Sequence, residues 1–142
     1  MGDQDGLKLT GTWRLTAAYV IIEGTGERAE LYGSEPRGYA VLEPGGRLMG
    51  MMMSSVRTRA GSDADTAALF RSMMAYTGRY SIDGEKFTTA VDMAWDPSWE
   101  GTEQTRYHTL DGDKLRLRTA PIDHPSFPGH KIVAYVDWER EA

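Results

Sequence analysis

The chain has 142 residues, a net charge of −5 and no cysteine, with 40% hydrophobic and 26% charged residues. That length suits one domain with one buried core. The missing cysteines exclude disulfides, thiol catalysis and thiolate metal sites, and the acidic balance argues against nucleic acid as a partner, which calls for a basic patch.

No apolar run approaches the ~20 residues of a membrane helix. The polar start "MGDQDGLKLTG" reads as neither a signal peptide nor a myristoylation site. A cytoplasmic protein with no membrane partner is therefore expected. Residues 1–142 read as a single domain, with 1–9 as a flexible lead.

Turn signals at "PGG" (Pro44), "DG" (Asp83), "DGD" (Asp111) and "PG" (Pro128) divide the chain into β-type runs. Eight are predicted, at about 12–23, 38–43, 47–55, 77–82, 87–94, 102–110, 114–119 and 131–138, the pattern of an all-β sandwich or barrel. In the first, Trp13, Leu15, Ala17, Tyr19 and Ile21 form one face. In "RLMGMMMSS" both faces are apolar: Leu48, Gly50 and Met52 oppose Met49, Met51 and Met53. Either the helix or a second subunit packs outside this strand, or the unbranched Met side chains line an adaptable ligand pocket. A homodimer is thus one expectation.

One helix is predicted over about 62–75. Ser62 with Asp65 makes a capping-box-like start, and Ala67, Phe70 and Met74 recur at helical spacing. The stripe fits a helix across an open end of a barrel, or a lid whose Phe70 and Met74 touch ligand.

Hairpin parity orients the later strands. An even loop in "SIDGEKF" pairs Ile82 with Phe87, which puts Tyr80, Phe87, Thr89, Val91, Met93 and Trp95 inside. An even loop in "HTLDGDKLRL" pairs Leu110 with Leu115. Because Lys114, Arg116 and Arg118 form a solvated face, Leu115 and Leu117 point inward, and with them Gln104, Arg106 and His108. Ile132, Ala134, Val136 and Trp138 face in on the last strand. Trp95, Pro97 and Trp99 form an aromatic turn, either rim packing or a pocket gate.

The segments "GTWRL", "YGSEPRGYAVLEPGGRL", "YTGRYSIDG" and "DPSWEGTEQTR", in this order, resemble a family of small bacterial lipocalin-like domain proteins over most of residues 10–140. The resemblance implies a calycin-type fold: an eight-stranded antiparallel up-and-down barrel whose closed end is plugged by the Trp of Gly-x-Trp, here Trp13. It also implies a basic residue over that Trp, for which Arg140 has the right parity. At one inward position where the family pattern has His, this chain has Thr89, so any role of that His is absent or moved. The family includes ligand carriers and unrelated enzymes, so the fold does not decide the activity.

The expected interior mixes apolar walls with a few convergent polar groups, the character of a small-molecule site. Arg106 has few inward acids to pair with, so it either meets water, bonds Gln104 and Tyr hydroxyls, or anchors the carbonyl, phenol or carboxylate of a ligand. Gln104, Tyr19, Thr89, Met93, Trp95, Met52, Phe70 and Met74 are the other expected ligand contacts. The alternative is catalysis: His108 as base, Tyr80 as acid or donor and Arg106 as electrostatic stabiliser would suffice for a cofactor-independent isomerase, cyclase or lyase of secondary metabolism. No cofactor motif is present, and the spacing of His108, His124 and His130 does not make a metal site.

Overall fold

The computed structural model describes residues 8–124 and 127–141. Its strands are β1 (Gly11–Ile22), β2 (Arg28–Glu30), β3 (Arg37–Leu42), β4 (Arg47–Met53), β5 (Met73–Asp83), β6 (Lys86–Ala94), β7 (Glu103–Asp111), β8 (Lys114–Arg118), β9 (Ile122–Asp123) and β10 (Lys131–Arg140). Eight pair antiparallel in the order β1-β3-β4-β5-β6-β7-β8-β10, and β10 pairs back onto β1 to close a barrel. The short β2 and β9 extend β1 and β10 at one end.

The even hairpins form as their sequences dictate. Ile82 pairs with Phe87 and Leu110 with Leu115. In each, a glycine with φ of 60° (Gly84, Gly112) opens a two-residue loop, a conformation that side chains with a Cβ rarely adopt.

Two bulges overturn the simple alternation. Leu15 pairs with Trp138 but Ala17 with Asp137, so Thr16 is an extra residue in β1. Beyond it the faces exchange: Ala18 and Val20 are buried opposite Val136 and Ala134, whereas Tyr19 pairs with Tyr135 on the outer face. The inward placement expected for Ala17, Tyr19 and Ile21 is thereby corrected. A second slip between Thr77 and Gly78 leaves Asp92 unpaired in β6. Val91 faces in, but Met93 pairs with the outward Thr77 and is 66% exposed. Gly78 sits at this slip because a Cβ there would lie 2.3 Å from the Ala90 carbonyl oxygen.

The closed end carries the β3–β4, β5–β6 and β7–β8 hairpins and the start of β1. Trp13 is fully buried there and donates its indole N–H to Leu9 O at 2.9 Å. Arg140 lies 4.3 Å from the Trp13 ring centroid, donates to the Thr10 and Lys8 carbonyls, and pairs with Asp113. Gly11 serves this packing twice: its φ is 130°, and a Cβ would press on the Arg140 guanidinium at 2.9 Å. The glycine of Gly-x-Trp thus makes room for the arginine that covers the tryptophan. Leu9, expected in a flexible lead, belongs to the core; residues 1–7 of that lead lie outside the described residues.

The helix α1 (Asp63–Arg71) begins as the sequence predicts, with the Ser62 side chain accepting from the Asp65 N–H. It ends earlier than the predicted 75. Met73 and Met74 open β5, and Met74 pairs with Met52. None of its residues is fully buried. The helix rests at the open end, with Phe70 against Trp95.

Candidate functional site

The barrel interior holds a cavity walled by Leu42, Leu48, Met52, Met74, Phe87, Leu115 and Leu117, with Trp13 and Trp138 toward the closed end. The cavity is small, about 40 Å3, room for a few water molecules at most. Methionines supply two of the wall side chains, Met52 and Met74, and their unbranched chains can repack around a guest. Gly50 is inward by alternation, opposite the buried Ala40, and a Cβ built on it meets nothing within 4 Å.

Four polar groups face this apolar space: Thr89, Gln104, Arg106 and the Tyr76 ring. Thr89 is 1% exposed and pairs with Gln104. Gln104 donates to the Thr102 hydroxyl at 2.9 Å and accepts from Arg106 at 3.3 Å. Arg106 also donates to its neighbour's carbonyl, Thr105 O, at 2.9 Å. Among the described residues no carboxylate forms an ion pair with it. Burial lowers the Arg106 pKa, which is the mark of a cation desolvated without full compensation. Tyr76 is close enough for the two charges to interact; burial nevertheless raises its phenol pKa more than Arg106 lowers it, so the hydroxyl stays protonated. The Trp138 indole N–H is a further buried donor, without a hydrogen-bond partner among the described residues.

A chain of aromatic rings leads from the cavity wall to the helix. Tyr76 meets Trp99 at 5.6 Å, Trp99 meets Trp95 at 5.3 Å, and Trp95 meets Phe70 at 5.9 Å. Trp95 donates its N–H to Phe70 O, which ties α1 to the rim. Tyr32, from the β2–β3 connection, packs on the same core; burial first, and Tyr76 second, push its phenol up to about 12.

The structure therefore gathers Arg106, Gln104, Thr89, Met52 and Met74 on one cavity and leaves the other expected residues off it. Tyr19 stacks on Tyr135 outside the barrel, beneath the Arg28 guanidinium. Met93 is outside because of the Asp92 bulge. Trp95 and Phe70 make rim packing and do not line the cavity. Met74 lines it from a strand and not from a lid helix.

The expected trio of His108, Tyr80 and Arg106 is not assembled. Tyr80 stacks on the far side of Phe87 and gives its hydroxyl to Glu43 O at 2.9 Å; burial raises its pKa. The His108 Nδ1 lies 3.0 Å from Glu85 O, at the β5–β6 turn. Both rings face backbone carbonyls of closed-end hairpins, and neither borders the cavity. Tyr76 and Gly50 were missed as site residues. Alternation back from Ile82 through Tyr80 and Gly78 reaches Tyr76 and Met74, but the helical spacing of Phe70 and Met74 hid that signal.

An aromatic-plugged eight-stranded barrel with an apolar interior agrees with the comparison against family models: one described as a lipocalin-like domain matches residues 10–141. The chain belongs to this family. No curated protein matches it. Within the lipocalin-like domain, the Arg140–Trp13 contact is the closed-end fastening that the sequence resemblance implies.

Proposed function

We propose that this lipocalin-like domain binds a small, mostly apolar molecule and holds its carboxylate, phenolate or carbonyl oxygen with Arg106. The observation that carries the reading is the placement of Arg106 on an apolar wall without a carboxylate partner among the described residues. An unpaired cation in such surroundings is costly, and an anionic or carbonyl oxygen offsets that cost. Gln104 holds one guanidinium nitrogen in place, and Trp138 offers a second donor farther along the cavity. The open space, about 40 Å3, is smaller than such a guest needs, so binding requires the Met52 and Met74 side chains to repack.

The test is a series of aromatic carboxylates with their methyl esters and parent hydrocarbons, read by thermal shift and by quenching of tryptophan emission. Carboxylates should bind tightest. Arg106→Met should abolish that order, Gly50→Val should block the whole series by filling open space, and His108→Ala should leave affinities unchanged. A carboxylate preference that persists in Arg106→Met would overturn the assignment.

A further inference from the structure

The barrel has a second apolar feature, on its outside. Tyr39, Val41, Met49, Met51 and Met93 are all substantially exposed, Met49 at 54% and Met51 at 47%. They are neighbours on one face. Tyr39 pairs with Met51, Val41 with Met49, Met51 with Ala75, Met49 with Thr77, and Thr77 with Met93. The band crosses four strands, about 14 Å over three ~4.8 Å spacings, and is bordered at Thr77 by the Arg47–Asp92 ion pair. The helix α1 does not cover it. Single exposed hydrophobics are ordinary, but a contiguous band of several hundred Å2 is at the upper limit for a monomer. With a polar rim it approaches the ~800 Å2 that each partner of a stable dimer buries.

We propose that this outer face of β3–β6 is a two-fold interface with a second copy of the chain. The surface is self-complementary about one particular axis. Take a two-fold axis in the plane of the interface, across the strands, at the level of the paired Ala40 and Gly50. It lays β3 antiparallel on β3 of the other copy. Met49 then meets Met51, and Tyr39 meets Val41, on either side of the axis.

The charges agree with the same axis. Arg37 opens β3 and Glu43 follows its last residue, about 20 Å apart at ~3.3 Å per residue. Both are exposed on the outer side, and neither has an ion-pair partner among the described residues; Arg37 donates only to the Met53 sulfur. The rotation brings each Arg37 to the other copy's Glu43. One isologous contact thus covers the apolar band and pairs four single charges.

The experiment is sedimentation of the full chain across micromolar to 100-micromolar concentration, with variants chosen on exposed positions so that folding, checked by circular dichroism, is retained. The wild type should run at twice the chain mass. Met49→Glu and Met51→Glu should each shift it to the monomer. Arg37→Glu and Glu43→Arg should each raise the dissociation constant roughly tenfold or more, and the double reversal R37E/E43R should restore it. A wild type that is monomeric throughout, including one that instead sediments with lipid vesicles, overturns the proposal. So does a dimer indifferent to Met49→Glu, or a double reversal that rescues nothing.

Discussion

Two arginines lie inside the same barrel and do different work. Arg140, at the closed end, spends its guanidinium on the Thr10 and Lys8 carbonyls, the Asp113 carboxylate and the Trp13 ring. Arg106, on the cavity wall, has a neighbouring carbonyl and one amide, and no acid among the described residues. Partners, and not residue type or strand parity, separate a fastening group from a group with capacity for a guest. Both arginines are inward by alternation, so strand parity treats them alike, and in the sequence only the family resemblance sets Arg140 apart.

Variants at the two ends should respond in opposite ways. Trp13→Ala removes the largest fully buried side chain and should cost about 3–5 kcal/mol, measured by urea denaturation. Arg140→Met leaves two carbonyls and Asp113 without their charged donor and should cost about 1.5–3 kcal/mol, with ligand affinity unaffected in the folded fraction. Arg106→Met should do the reverse, because removing a desolvated cation that lacks an acid is neutral or stabilising; its Tm should hold or rise while carboxylate affinity falls. Equal destabilisation by the two arginine variants would erase the distinction.

The smallest effect is expected at a third arginine, on the outer wall. Arg47 and Thr77 both donate to Asp92 and hold its carboxyl at about 2, below the usual 3.8. Because the folded value is the lower one, the contribution is fully present above about pH 4 and is lost as pH falls toward about 2. Asp92→Asn should flatten the stability curve in that window only. The cost of the substitution is small because the pair is solvent-exposed, but it is largest at neutral pH and disappears toward pH 2.

The hairpins and the inward Gln104–Arg106 row were legible because turn chemistry and charged outer faces fix parity over a few residues, whereas the closed-end plug was legible only through the family resemblance. Parity failed where the chain inserts a residue. Thr16 and Asp92 carry no mark that separates a bulge residue from an ordinary strand residue, and each reverses everything beyond it. Tyr19 and Met93 were misplaced for this reason alone. Met74 was ambiguous in another way: it is four residues from Phe70, as a helix requires, and two from Tyr76, as a strand requires. Its partner Met52 across β4 decides, and long-range pairing is invisible to local spacing. Tyr80 and His108 have the expected parity, but their heights along the barrel place them beside turn carbonyls, and height depends on the stagger between strands.

Closure of β10 onto β1 has a consequence for how this chain can aggregate. A sheet that ends in a free strand offers unpaired N–H and C=O groups to any other extended chain and can template fibrils. Here the outermost strands are β2 and β9, only three and two residues long. The native barrel therefore presents almost no backbone to recruit a foreign strand, and its methionine-rich flank can stay exposed between encounters without seeding cross-β growth.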